Sequence, residues 1–310
     1  MKTGRKEKKS VATIVLFSIL LLYTCIFLFL LIWAVLTSVK TDNDFIMNKN
    51  YYGLPRDVLT GELLLPWDWN WTNFVDAAER FKVMDLYRSG QKIAVPFGTQ
   101  IWYTILYAVG CAFFQTLCPC MAAYFTSKFN YKFNKIIDVV VIITMIIPVV
   151  GSSISMISLL HKLNIYDTFL GLYLQKFYFA NMYYLMFGGI FKGISKEYYE
   201  AAHIDGASEF SVMIRIALPL VINSFGLIFL LHFIAYWNDY STLLLYAPSH
   251  PTIAYGLYVF STRSPGNDLK LASKSVQMAG AITIAIPTVI LFVVFHNKLM
   301  GNLSIGGVKE

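Results

Sequence analysis

Apolar residues run along this chain in six long blocks: Val11 to Leu36, Thr99 to Phe125, Ile136 to Leu160, Leu170 to Phe191, Leu220 to Leu244 and Val276 to His296. The blocks hold 146 residues, of which three are charged: Asp138, Lys176 and Asp239. Each block is 21 to 27 residues long, and about 20 residues of helix cross a bilayer core. The pattern predicts an all-α, polytopic membrane helix bundle with six transmembrane helices. Two of the intervening polar segments are long, Thr37 to Gly98 and Leu245 to Ser275. Pro119, Pro148 and Pro287 interrupt three blocks, and Gly189 and Gly193 form a small-xxx-small pair. Such residues permit kinks and close helix crossings.

Charge sets the orientation. The N-terminus, the segments around Lys128 to Lys135 and Lys192 to Arg215, and the tail carry 13 basic residues in 62 positions, while the alternate segments, longer in total, carry 11. Basic residues near a span resist translocation, so both termini are predicted cytoplasmic. The first block, preceded by five basic residues, exceeds the length of a signal-peptide core and ends in Trp33-Ala34-Val35-Leu36, a poor cleavage site; it is read as a retained span. Charged residues make up only 14% of the 310 positions, against roughly 25% in soluble domains. The net charge of +7 is divided among loops and makes no single nucleic-acid patch.

Little in the sequence points to covalent chemistry. The four cysteines, Cys25, Cys111, Cys118 and Cys120, lie in the first two blocks, and the five histidines are scattered singly, which leaves no metal-ligand spacing. No nucleophile stands with a base, and no G-x-x-x-x-G-K-[ST] occurs, so a P-loop nucleotide site is absent from this sequence. In the fifth block Phe225, Phe229, His232, Tyr236 and Asp239 recur at spacings of 4, 3, 4 and 3, which aligns them on one helical face. An aromatic and polar stripe of this kind suits a sugar path; interhelical packing accounts for the same spacing. Asn181 and Tyr184, three apart in the fourth block, are a second candidate pair. In the first long loop Trp67, Trp69 and Trp71 alternate, so an extended chain would present three indoles on one side, and Phe74, Val75, Ala78 and Phe81 suggest a short helix from Thr72. These aromatics fit an interfacial belt or a protein docking surface equally.

The segment Gly193 to Leu220 is the most informative. Ser195 can cap a short helix, Gly206 can supply the left-handed turn that ends it, and Ser208 can cap a second helix running to Pro219. Ala201, Ala202 and Ala207 offer a small packing face, with Glu200 and Asp205 as fixed charges. Glu200 to Ala207 followed by Ile216 to Pro219 closely resembles the EAA loop of binding-protein-dependent ABC importers, E-A-A-x-x-D-G-A then I-x-L-P. The D-G-A form, Trp237-Asn238-Asp239-Tyr240 and the closing Phe295 to Lys309 resemble the shorter membrane subunit of maltose-type carbohydrate permeases. The resemblance covers roughly Phe97 to the C-terminus; Met213 stands where that family usually has Phe.

The resemblance implies an ABC importer type I permease: a cytoplasmic N-terminus and first span (1–36), an extracytoplasmic loop (37–98), a five-span core (99–296) with the EAA loop at 193–220, and a cytoplasmic tail (297–310). It implies coupling to ATPase subunits through Glu200, Ala201, Ala202, Asp205, Gly206, Ala207 and Pro219. Phe229, His232, Tyr236, Asn238, Asp239, Asn181 and Tyr184 are the candidates for the substrate path. Within Tyr246 to Lys270, Tyr255, Tyr258 and Phe260 would meet a sugar-binding protein. The implied partners are a second permease, two ATP-binding cassette subunits that hold ATP and Mg, an extracytoplasmic sugar-binding protein and membrane lipid, in a bacterial plasma membrane. No cofactor is expected in this chain and no enzymatic step of its own. The alternatives are a permease for another small solute such as an amino acid or phosphate, and an ion-coupled secondary transporter.

Overall fold

The computed structural model describes residues 11–47, 49–80, 83–88, 91–129, 131–147, 151–262 and 273–301. The basic N-terminal residues Lys2 to Lys9, the closing Gly306 to Lys309, and Pro148, Pro265, Gly266 and Lys270 lie outside them. The chain divides into two units, 1–80 with 261–283 and 81–260 with 284–310.

In the first unit, α1 (Val11–Ser38) is a continuous helix whose apolar side chains are exposed around most of its circumference. It leads into a polar knot. Asn73, at the start of α2 (Thr72–Arg80), donates to the carbonyls of Ser38 and Lys40 at 2.8 Å each, and Asp44 accepts from the Asn50 amide and from the Arg56 N–H. The tryptophan segment is not extended. Residues 66 to 68 form a turn in which Asp68 N–H bonds Leu65 O, and the indoles of Trp69 and Trp71 donate to the carbonyls of Leu64 and Pro66. Proline and aspartate at a turn outweigh the alternation of tryptophans. Trp71 stacks on Phe74, while Trp67 stands 73% exposed.

In the second unit a two-stranded hairpin, β1 (Val83–Arg88) against β2 (Gln91–Val95), precedes α3 (Phe97–Lys128), an element the apolar pattern did not announce. The long α3 packs against α6 (Phe169–Lys176), α7 (Met182–Lys192) and α10 (Leu218–Trp237). Its two ends sit in separate clusters. One gathers Tyr107, Cys111, Leu172, Tyr236, Trp237 and Leu243; the other gathers Cys120, Tyr124, Tyr184, Phe187, Tyr199 and Val212.

Two predicted spans are not single helices. The third is split into α4 (Asn134–Ile146) and α5 (Ser152–Lys162). Ile147 is extended at φ −78°, ψ 113°, as the ring of a following proline demands, and Gly151 adopts φ +79°. The fourth is split between α6 and α7, and Asn181 restarts the helix: its side chain accepts from Tyr183 N–H at 3.0 Å and Tyr184 N–H at 3.3 Å. Capping chemistry thus overrides the apolar run. Among the described residues three helices are long and apolar enough to cross a membrane alone: Ala12–Ser38, Phe97–Lys128 and Glu209–Trp237. The shorter apolar helices are α12 (Ile253–Thr262) and the N-terminal part of α13 (Lys274–Gly301).

Candidate functional site

The loop between α7 and α10 folds as two short helices at a glycine corner. The first, α8 (Glu197–Ile204), is not capped by a side chain at its N-cap Lys196; Ser195 Oγ instead accepts from Glu197 N–H at 3.3 Å. Its far end is a Schellman motif: Gly206 at φ +79° donates to His203 O at 3.0 Å, and Ala207 N–H reaches Ala202 O at 2.9 Å. Ser208 Oγ then accepts from Ser211 N–H and starts α9 (Glu209–Val212). That second helix does not stop at Pro219. It widens into a π-turn at Met213–Ala217, where Leu218 N–H reaches back to Met213 O, and continues as α10. Proline has no N–H to give the preceding turn, and Pro219 follows directly on the π-turn, where the helix is already widened.

The alanine face is only partly as expected. Ala202 is buried and Ala207 packs against the same cluster, but Ala201 faces outward with Glu200, Asp205 and Gly206. Beside them the loop exposes large apolar side chains, Ile204 at 86% and Phe210 at 67%. The loop is held to the bundle by a clamp that the motif did not indicate. Lys128, in the last turn of α3, forms a short ion pair with Glu209, meets His203 Nε2 at 3.4 Å and stands 5.1 Å from the Tyr199 ring centroid. His203 Nε2 lies 3.3 Å from Glu209 Oε1. In the sequence Lys128 is one basic residue among many that mark the membrane flank, so its second role had no signal. A cleft of about 440 Å³ opens beside the clamp, with Lys192, Lys196 and Glu200 on its rim.

The stripe on α10 faces α3, α6 and α7. His232 Nδ1 lies 3.0 Å from Thr116 Oγ1, and Tyr236 donates to Gln115 and meets the Tyr107 ring edge-on at 5.4 Å. Tyr107 OH donates to Asp239 Oδ2 at 2.7 Å, and Asp239 also accepts from Thr242 N–H at the entrance of α11 (Ser241–Tyr246). Phe225 and Phe229 are partly buried in the two clusters. Asn238 is exposed and turns back to Ile234 O. Asn181 and Tyr184 do not form one helical pair: Asn181 is the cap described above, and Tyr184 is buried with its hydroxyl between Thr126 (2.9 Å) and Asp138 (2.7 Å). Backbone shape decided this, because the helix begins between them.

The segment after α11 leads into the helix α12. Tyr255 and Phe260 are buried in α12, whose apolar sequence packs inward, and Tyr258 stacks on Tyr240 at 4.3 Å. The approach to α12 is pinned to the bundle. Thr104 Oγ1 accepts from Ile253 N–H at 3.0 Å, and Asp167, in the left-handed region at φ +59°, donates its N–H to Tyr246 O and accepts from Ser249 N–H at 2.9 Å. His250 approaches the same carboxylate at 3.4 Å while lying against Tyr103 and Phe169. Burial raises the Asp167 pKa, but the hydrogen bonds from His250 and Ser249 outweigh it and hold the carboxyl below its ordinary value.

Residues 115–299 match the family described as binding-protein-dependent transport system inner membrane component. The chain is 26% identical over 214 residues to the arabinooligosaccharides transport system permease protein AraQ of Halalkalibacterium halodurans, covering 69% of this chain and 73% of that protein. It is 27% identical over 215 residues to the maltodextrin transport system permease protein MdxG of Bacillus subtilis, covering 67% of this chain and 75% of the relative. A solved bacterial ABC transporter involved in the import of the acidic polysaccharide alginate shares the fold, with a TM-score of 0.71 at 19% identity over 95% of this chain and 99% of the matched one. The family match takes in more than half of the chain and the whole of the two-helix loop with its clamp partner Lys128. The chain therefore belongs to the binding-protein-dependent transport system inner membrane components, membrane transport subunits that work in a complex with other transporter subunits.

Proposed function

We propose that this chain is one half of the membrane path of an ATP-driven importer for a sugar or oligosaccharide. The observation that carries the reading is the two-helix loop, clamped through Glu209 to Lys128, which turns Ile204 and Phe210 outward. A rigid element with an exposed apolar edge can receive a push from a partner and pass it directly to α10, because α9, the π-turn and α10 are one continuous helix. Partner cassette subunits would hold ATP and Mg and hydrolyse the nucleotide; closure of their dimer would move the loop and alternate access to the path. A second permease and an extracytoplasmic binding protein complete the assembly, with the termini of this chain in the cytoplasm of a bacterium. Carbohydrate as substrate is supported by the relatives, which are named for arabinooligosaccharides and maltodextrin. It is also supported by the mixed aromatic and polar lining of α10.

The test is uptake by the reconstituted assembly across a panel of neutral and acidic oligosaccharides, amino acids and phosphate. Saccharide-dependent ATP hydrolysis that disappears when the cassette subunits are left out is the expected result. Hydrolysis by this chain alone, or stimulation by amino acids and not by any saccharide, would overturn the reading.

A further inference from the structure

Three charged residues lie in the apolar blocks, and two of them are satisfied within the chain. Asp138 accepts from Tyr184, and Asp239 accepts from Tyr107, Ser241 and Thr242. Lys176 differs. It ends α6, where the fourth span breaks, and among the described residues no carboxylate oxygen lies within 4.0 Å of its ammonium. Its Nζ stands 5.1 Å from the centroid of the Tyr236 ring, and His232 flanks the same ring at 6.4 Å. His232 is 6% exposed; Nδ1 meets Thr116, while Nε2 is buried with no hydrogen-bond partner. Across the break Asn181 Nδ2 is likewise buried and unpartnered.

A cation among apolar spans is costly unless an anion or a set of dipoles offsets it, and such residues commonly mark a solute path. The Tyr236 ring face and the C-terminal end of α6 offset part of the charge. The complement that Lys176 lacks is an anion. Tyr236 is itself buried and holds the ammonium against its ring, and the unpartnered nitrogens of His232 and Asn181 are polar groups that a hydroxyl would satisfy. We propose that Lys176, His232 and Tyr236 form a subsite for a negatively charged saccharide, with the ammonium pairing to a carboxylate on the sugar ring. A single ammonium matches the one charge of a carboxylate better than the two of a phosphate monoester. This deepens the sugar-import reading and rests on it.

The test uses the reconstituted assembly and, separately, the full chain in lipid nanodiscs, so that the selectivity of a binding protein does not decide the outcome. Trigalacturonate, maltotriose and glucose 6-phosphate are compared in uptake and in thermal stabilisation. Trigalacturonate is expected to be transported and to stabilise the full chain most, and Lys176→Met is expected to lower its uptake at least tenfold. Lys176→Arg, which keeps the charge, is expected to retain most of it, and any maltotriose uptake is expected to change less than twofold in both variants. If Lys176→Met fails to assemble, Lys176→Arg and the salt dependence of wild-type stabilisation decide: loss of trigalacturonate stabilisation between 0.05 and 0.5 M salt is the expected result, and salt-independent stabilisation counts against the subsite. Uptake of maltotriose without trigalacturonate would overturn the subsite and leave the sugar reading standing. A preference for glucose 6-phosphate would overturn the carboxylate assignment. A response to none of the three would overturn the subsite, and the wider saccharide panel then decides the sugar reading.

Discussion

Substituting Gly206 tests the coupling loop most directly. Its φ of +79° belongs to the left-handed region, and a Cβ built there meets no heavy atom within 4 Å. The cost of a side chain is therefore conformational, without a steric contribution from neighbours. For alanine that cost is about 1 to 2 kcal/mol. For valine it is larger, because branching at Cβ narrows the left-handed region further. Asparagine visits this region readily and is expected to cost least. The affected geometry is the Schellman pair that aims α8 back from α9, so the loss appears in the population of the docked loop. At about 1.4 kcal/mol per decade, alanine lowers the ratio of docked to undocked loop about fivefold or more. The assay is titration of detergent-solubilised chain with cassette subunits, with membrane insertion measured in parallel. The expected order of apparent affinity is Gly, Asn, Ala, Val, with insertion equal in all four. Equal affinity for glycine and valine, or a loss as large for asparagine as for valine, would refute the reasoning.

Further outcomes follow from the same contacts. Tyr236→Ala removes a buried ring that packs on Tyr107 and is expected to destabilise the fold by about 3 to 5 kcal/mol, whereas Tyr236→Phe keeps the ring; thermal unfolding against uptake separates packing from a substrate role. Thr104→Val removes the acceptor for Ile253 N–H and costs about 1 to 3 kcal/mol, which limited proteolysis near residue 253 will report as faster cleavage. Asp167 is held below its ordinary pKa, so its ionised form stabilises the fold above the unfolded value and that contribution is lost as pH falls through the folded one. The melting temperatures of wild type and Asp167→Asn are expected to differ at pH 7 and to converge in acid; a gap that persists unchanged at pH 2.5 would sink the assignment. Lys128→Met breaks a clamp whose partner Glu209 is half exposed, so solvent screening limits its electrostatic worth to about 1 kcal/mol or less. A large loss of cassette binding with little change in melting temperature is the expected signature.

Composition and pattern alone determined that this chain is helical and membrane-embedded, because each apolar block is long enough to satisfy its own backbone in lipid. The corner at Gly206 was also legible, since few residues besides glycine adopt the left-handed turn that ends one helix just before Ser208 caps the next. These are local requirements, and local chemistry expresses them. Hydrophobicity could not show where a span breaks: at Asn181 an Asx cap divides one apolar block, and at Ile147 the following proline ends the helix of another. Nor could it show partners distant in sequence. Lys128 meets Glu209 across 81 positions, Tyr107 meets Asp239 across 132, and Thr104 meets Ile253 across 149. The α10 stripe was visible as a period, yet whether a stripe packs inward or lines a path depends on what faces it. Only the tertiary structure places Gln115, Thr116 and Lys176 there, because helix packing depends on surfaces presented by several elements at once.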